Sequence, residues 1–187
     1  MDRQQATDAE LVLQLKNGIM SAGAVLYERH KQPVYAFCLR MTGDAAAAQD
    51  AAQEAFLKMI SKIHTVEHGI TLRSWLFSTA RNEILMILRR KRIVRMEPLE
   101  EAEEVSGPLT PLRVTEDRQM STIIEDAVSR LQPVNREAFL LREKEGMSYD
   151  EIAAITGASL SAVKSRIFKA RSAMNTMLTP YLDSGGL

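Results

Sequence analysis

The polarity pattern along the chain has the period of an α-helix almost everywhere. Apolar residues recur at steps of three and four, as in Leu11 and Leu15 or in Val34, Phe37, Cys38 and Met41, and the alternation of a half-buried strand is missing. Thr7, followed by Asp8 and Glu10, predicts the N-cap of a first helix ending at Asn17-Gly18. A second helix is expected from about Ser21 to Met41. Pro33 falls inside it, and an interior proline costs a helix roughly 3 kcal/mol, so a kink or break is expected there. Thr42-Gly43-Asp44 reads as a turn. The alanines after it, strong helix formers, open a third helix reaching about Lys62. His64 to Thr71, with Gly69, reads as a loop, and a fourth helix follows from about Leu72 to Arg92.

The periodicity then lapses. Residues 93–114 contain Pro98, Gly107, Pro108 and Pro111 together with Glu97, Glu100, Glu101, Glu103 and Glu104. A stretch of about twenty residues without periodic apolar positions is longer than most connections inside one domain. It predicts residues 1–92 as one domain, 93–119 as a flexible acidic linker and 120–187 as a second domain. After Glu116 the helical stripe returns as Ile123, Ile124, Ala127, Val128 and Leu131. Pro133 starts the next helix and Glu145-Gly146 ends it. Ser148 and Glu151 form a capping box for a short helix through Ile155. Thr156-Gly157-Ala158 is a turn, and Ser159 caps a last helix expected to stop near Leu178, before Pro180. The expected fold class is all-α: two small helical domains on a tether, the second carrying a helix-turn-helix.

Composition narrows the function classes. At 187 residues, 45% hydrophobic and 26% charged, the chain reads as globular and soluble. No apolar run approaches the ~18 residues that span a bilayer, so no membrane insertion is expected. Met1-Asp2-Arg3-Gln4-Gln5 lacks a signal-peptide pattern, and a cytoplasmic location is expected. Cys38, the single cysteine, excludes an internal disulfide and reads as a small buried hydrophobe. The 24 basic and 24 acidic side chains cancel only in sum. Residues 1–92 carry a net charge of +4, residues 93–120 a net −4, and residues 121–187 are balanced. Such asymmetry points toward a nucleic-acid partner.

Two helices concentrate that positive charge. In the last one, Leu160, Val163, Ile167, Ala170, Met174, Met177 and Leu178 form the core stripe. The other side presents Ser161, Lys164, Ser165, Arg166, Phe168, Lys169, Arg171 and Ser172, and no acid occurs between Glu151 and Asp183. An all-positive face with small hydroxyls suits a DNA major groove, where Lys and Arg reach guanine edges and phosphates. Phe168 lies off the core stripe and fits either a neighbouring helix or a thymine methyl group. In the fourth helix, Trp75, Leu76, Thr79, Ala80, Ile84, Ile87 and Leu88 read as the apolar face. Ser78, Asn82, Leu85, Arg89 and Arg92 lie opposite. Arg89, Arg90, Lys91, Arg92 and Arg95 crowd its end, more charge than complementing a helix dipole needs. Asp50, Gln53 and Glu54 share a polar face of the third helix, which by itself reads as merely solvated.

Taken in order, these segments resemble a known family. Leu26-Tyr27, Val34-Tyr35, Thr42-Gly43-Asp44, Asp50-x-x-Gln53-Glu54-x-Phe56, Trp75-Leu76 and Ala80-Arg81-Asn82 resemble the second conserved region of bacterial sigma factors. Leu131-Gln132-Pro133, Arg136, Gly146 to Ala153, Val163-Lys164-Ser165-Arg166 and Ala170-Arg171 resemble the fourth. The match is closest to the extracytoplasmic-function group, group 4 of the sigma-70 family, which has only these two domains and a linker. The resemblance implies that Asp50, Gln53, Glu54 and Phe56 dock on the clamp helices of the RNA polymerase largest subunit, and that the polymerase flap is a further contact. It implies that the His64–Thr71 loop and a helix bearing Ser78, Asn82, Arg89, Arg90 and Arg92 read and melt the −10 element. It implies that Ser161, Lys164, Ser165, Arg166, Phe168, Lys169 and Arg171 read the −35 element, and that an anti-sigma factor is a partner. Where family members often place an aromatic before the tryptophan, this chain has Val66 and Leu72. The linker glutamates suit a segment that mimics a nucleic-acid backbone in the RNA exit path.

Two other classes of function stay in view. A plain helix-turn-helix regulator would use its first domain for sensing or dimerisation, but such a domain would not need the basic Asn82 helix. An enzyme would need a catalytic constellation. His64 and His68 have a metal-compatible spacing but no third ligand, and no phosphate-binding glycine loop or nucleophile elbow occurs. Neither catalysis nor a metal or other cofactor is expected.

Overall fold

Several helices begin where a side chain satisfies their free N–H groups. Thr7 caps α1 (Asp8–Lys16): its hydroxyl accepts from the Glu10 N–H at 3.3 Å, and the Glu10 carboxylate accepts from the Thr7 N–H at 2.7 Å. Donation from the Thr7 N–H and, at 2.9 Å, from the Thr7 hydroxyl holds the Glu10 carboxyl below the usual carboxylate range. Asp44 starts α3 (Ala45–Lys62) by accepting from the N–H groups of Ala46 and Ala47 at 3.0 and 3.1 Å. Thr71 does the same for α4 (Leu72–Val94) through the Ser74 N–H at 3.1 Å. Between α1 and α3 runs α2 (Met20–Thr42), and a single 3₁₀ turn, Ile63–Thr65, follows α3.

The computed structural model describes residues 6–65, 71–94 and 116–183, and among these no strand occurs. The chain divides into two compact units, Met1–Pro98 and Leu99–Leu187. The expected loop residues 66–70 and the glutamate-rich stretch 95–115 lie outside the described residues. Helix occupies both ends of the expected linker, since α4 reaches Val94 and α5 (Glu116–Ser129) starts at Glu116. Neither margin contains a proline to stop it, and Glu116 and Asp117 complement a helix N-terminus.

In the first unit, α3 packs against both α2 and α4. Its contact face is built of alanines: Ala48, Ala51 and Ala55 are fully buried, and Ala47 and Ala52 nearly so. Two edge-to-face aromatic pairs key the neighbours together. Tyr27 meets Phe56 with centroids 4.9 Å apart, and Phe37 meets Phe77 at 5.3 Å. Helix α1 is pinned to α2 by Asp8, which accepts from Arg29 at 2.9 Å and lies 2.6 Å from His30 Nε2. Cys38 is fully buried, as its neighbours imply, and burial pushes its thiol up to about 12.

Two proline expectations are corrected. No break occurs at Pro33, and α2 runs through it as one helix. Likewise α8 (Leu160–Asp183) passes Pro180 rather than stopping at Leu178. At Pro33 the cause is tertiary: Leu26 before it and Val34, Phe37 and Cys38 after it are all buried in one core, which holds the helix on both sides of the missing N–H.

The second unit continues with α6 (Pro133–Phe139), a π-helical turn (Leu140–Lys144) and α7 (Tyr149–Thr156) before α8. Arg136 donates from Nη2 to the carbonyls of Ser129 and Leu131, closing the exposed end of α5. Arg142 donates to the Met147 carbonyl at 2.7 Å and lies over the Tyr149 ring, 4.9 Å from its centroid. That fixes the entry to α7, where Ser148 and Glu151 complete the expected capping box. Gly157 ends α7 at φ +67°, a conformation that glycine adopts without strain. Ile152 and Ile155 of α7 and Val163 and Ile167 of α8 are buried at the crossing, while Ala153 is only half-buried.

Replacing Pro33 with alanine tests the account of α2. It restores one backbone hydrogen bond and removes a ring clash, while the unfolded chain gains freedom, so a net stabilisation of about 1–2 kcal/mol is expected. Denaturant unfolding measures it, and unchanged or lower stability would contradict the view that the core holds this proline in place against local preference.

Candidate functional site

Three helix faces carry the candidate residues. On α3, Asp50 and Gln53 are exposed and Glu54 is half-buried, one turn apart on the side turned away from the alanine core. Phe56 differs from the sequence-based grouping. It is 5% exposed, its ring set edge-on against Tyr27, so it supports the face from beneath instead of forming its surface. The same face extends to Leu57 and Ile60, which are 53% and 43% exposed. The sequence reading missed these two. Their signal was the 53–57–60 stripe, which continues the polar face with residues that a solvated helix would not select.

Beside the face lies an ion pair between a half-buried lysine and a buried glutamate. Lys58 hydrogen-bonds to the Glu83 carboxylate of α4 and stands 3.7 Å from Glu54. Glu83 is one of a few charged residues in either core, with a side chain 7% exposed. The Glu83 contact raises the Lys58 ammonium above its ordinary range.

On α4, the stripe opposite the core runs from half-buried Ser78 through exposed Asn82 to exposed Arg89. Arg90 is exposed as well and reaches the Met86 sulfur at 3.7 Å. The side chain of Arg92, and those of Lys91 and Arg95, lie outside the described residues. The apolar side needs correction. Phe77, absent from the expected stripe, is fully buried, whereas Leu88 is 38% exposed and Trp75, Thr79 and Ile87 are half-buried. The reason is that α4 packs on both α2 and α3, so its buried arc is wider than a single-contact stripe and is rotated toward Phe37. Leu72 is buried at the start of α4, so it is a core residue and not a loop substitute for an aromatic.

On α8, Ser161, Lys164, Ser165, Phe168 and Lys169 are exposed along one side, and Ser159 accepts from the Ala162 N–H at 3.2 Å to start the helix. Phe168 is 74% exposed, the most exposed large apolar residue among those described. Arg166 is half-buried on the flank. Arg171 is exposed but engaged: Nε and Nη2 both donate to one Glu143 oxygen, at 2.9 and 2.6 Å. That contact holds the guanidinium more firmly charged than usual. Leu160, expected in the core, is 39% exposed at the first position of α8. A shallow groove beside Arg171 is lined by Ile124, Phe139, Met174 and Leu178. Among the described residues no His, Cys, Asp and Glu cluster could hold a metal ion, and no helix is long and apolar enough to cross a membrane.

Comparison with known proteins matches residues 26–93 to the family description Sigma-70 region 2 and residues 121–174 to Sigma-70, region 4. The chain is 30% identical over 190 residues to the ECF RNA polymerase sigma-E factor of Escherichia coli strain K12, covering 96% of this chain and 98% of that one. It is 30% identical over 159 residues to the ECF RNA polymerase sigma factor SigE of Mycolicibacterium smegmatis, with 83% of this chain but only 61% of that longer relative covered. Its fold is similar to that of the sigma factor RpoE of Bartonella quintana, solved in complex with the anti-sigma factor NepR. There the TM-score is 0.65 at 24% identity, with 82% of this chain and 94% of that chain covered.

The two phenylalanines provide a test of these placements. Phe56→Ala is expected to cost about 3–5 kcal/mol by leaving a core cavity, whereas Phe168→Ala should stay within about 0.5 kcal/mol of the parent. Equal losses in urea unfolding would show that one of the two rings is misplaced.

Proposed function

Since the chain belongs to the extracytoplasmic-function group of RNA polymerase sigma factors, we propose that it is a promoter-specificity subunit with no catalytic chemistry of its own. In this reading it binds core RNA polymerase, directs it to promoters with particular −10 and −35 elements, and acts in the cytoplasm. The observation that carries the proposal is the pairing of two outward basic helix faces, one in each compact unit, with a separate acidic and apolar face on α3. A ligand-sensing regulator has use for one basic face only.

The division of labour follows from chemistry. Asp50, Gln53 and Glu54 offer carboxylates and an amide to basic groups on the clamp helices, and Leu57 and Ile60 supply the apolar area that excludes water between them. Phe56 keeps that face rigid from below. Ser78 and Asn82 present hydrogen-bonding groups to a −10 base drawn out of the stack. Extrusion costs a few kcal/mol, which polar contacts to the base edge offset. Arg89, Arg90 and Arg92 follow the adjoining phosphates. Ser161, Lys164, Ser165, Arg166, Lys169 and Arg171 approach the −35 major groove, with Phe168 against a thymine methyl. Arg171, oriented by Glu143, suits a phosphate contact at the edge of that face.

The flap is a further polymerase contact, and the acidic linker acts along the RNA exit path. At rest an anti-sigma protein covers the Asp50–Leu57 face and thereby excludes core polymerase. The complex of a similar fold with the anti-sigma factor NepR supports that partner class.

Asp50→Arg combined with Glu54→Arg is expected to abolish co-purification with core polymerase while the chain stays folded, with a small loss of melting temperature from the new cation beside Lys58. Retained co-purification would remove the docking assignment. For the −35 element, Lys164→Ala and Lys169→Ala should each weaken promoter binding, by about 1–3 kcal/mol for a base contact and less for a phosphate contact. A promoter variant series separates the two, since a base reader relaxes preference at one position and a phosphate contact weakens all sequences alike. If neither substitution changes binding, α8 is not the reader.

A further inference from the structure

The Lys58–Glu83 pair stands between two of the proposed interfaces. Lys58 follows Glu54 by one turn of α3, and its ammonium lies 3.7 Å from that carboxylate. From this half-buried position it also hydrogen-bonds to the buried carboxylate of Glu83. Glu83 in turn follows Asn82, the exposed residue of the −10 face. A carboxylate as buried as Glu83 requires a partner, and losing it leaves an uncompensated charge inside the core. An ion pair needed for stability alone could sit anywhere along the α3–α4 contact. This one joins the docking carboxylate to the helical turn that presents Asn82.

We propose that Lys58 is a positioning residue that sets Glu54 on the docking face and the Asn82 turn of α4 through one shared ammonium. The inference rests on the docking and −10 assignments made above. Two carboxylates compete for one cation. When a basic group of the polymerase engages Glu54, the Lys58 charge falls to Glu83 alone, and the α3–α4 contact tightens at the turn that reads the −10 base. Docking and base capture are then coupled by a single side chain that touches neither polymerase nor DNA.

Full-length variants separate this from a purely structural role. In Lys58→Met/Glu83→Leu the buried pair becomes apolar on both sides, so the melting temperature should stay near the parent's. The proposal expects this variant to bind core polymerase about tenfold more weakly and, at saturating polymerase, to open promoters about tenfold more slowly, as read by permanganate reactivity of −10 thymines. Lys58→Arg should restore most of both. Glu54→Gln leaves the buried pair intact and changes only an outward group. With no second carboxylate competing for Lys58, at saturating polymerase it should speed opening, by about threefold, which a structural role for Lys58 would not produce.

Parental core affinity and opening rate in the Lys58→Met/Glu83→Leu chain would overturn the proposal. So would a parental or slower opening rate for Glu54→Gln at saturation. Failure of the docking assignment itself looks different, because Asp50→Arg/Glu54→Arg would then bind core polymerase normally.

Discussion

The close approach of α2 and α4 to the alanine face of α3 is the contact on which the N-terminal unit depends. Helix axes come near one another only where side chains are small, and Ala48, Ala51 and Ala55 are buried without residual exposure. With one side of α3 sealed in this way, Asp50, Gln53, Glu54, Leu57 and Ile60 have only the outward side left. The same approach brings Lys58 within reach of Glu83 and sets Phe77 against Phe37. A larger residue in the alanine column would separate the helices and move both proposed interfaces together.

Electrostatics in this protein is local, and its zero net charge says little about it. Cations are gathered on the outer sides of α4 and α8, where they would repel one another unless a polyanion were present. Across both units, acids pair with cations at selected points. Glu143 orients Arg171, Asp8 ties α1 to α2, and Glu83 anchors Lys58. Each of these carboxylates has a defined partner, and each fixes a long cationic side chain or a helix contact that would otherwise lose order.

Local chemistry was legible in the sequence. Thr7, Asp44 and Ser148 start helices as their residue types and spacing require, because a cap is satisfied within four residues and needs nothing from the rest of the chain. The basic faces of α4 and α8 were legible for a related reason: helical period alone places 78–82–89 and 161–164–165–168 on outward sides. The order of two motif sets on either side of a proline-rich tether identified the family, and the comparisons agree with it.

What only the tertiary structure decided concerns residues whose environment is set by more than one neighbour. Pro33 reads as a helix kink or break, yet a core contributed by three helices keeps α2 unbroken through it. Phe56 reads as part of the Asp50 face, yet Tyr27, distant in sequence, takes it inward. Phe77 falls outside a one-sided stripe and is buried because α4 has two packing partners. Arg171 reads as one cation of an outward face, and only the fold brings Glu143 beside it; Lys58 meets Glu83 only because α4 packs on α3. The sequence by itself determined the helices, their outward chemistry and the family, since those follow from periodicity and near-neighbour hydrogen bonding. Which aromatic is core and which cation is engaged depended on contacts between helices, whose geometry no local period specifies.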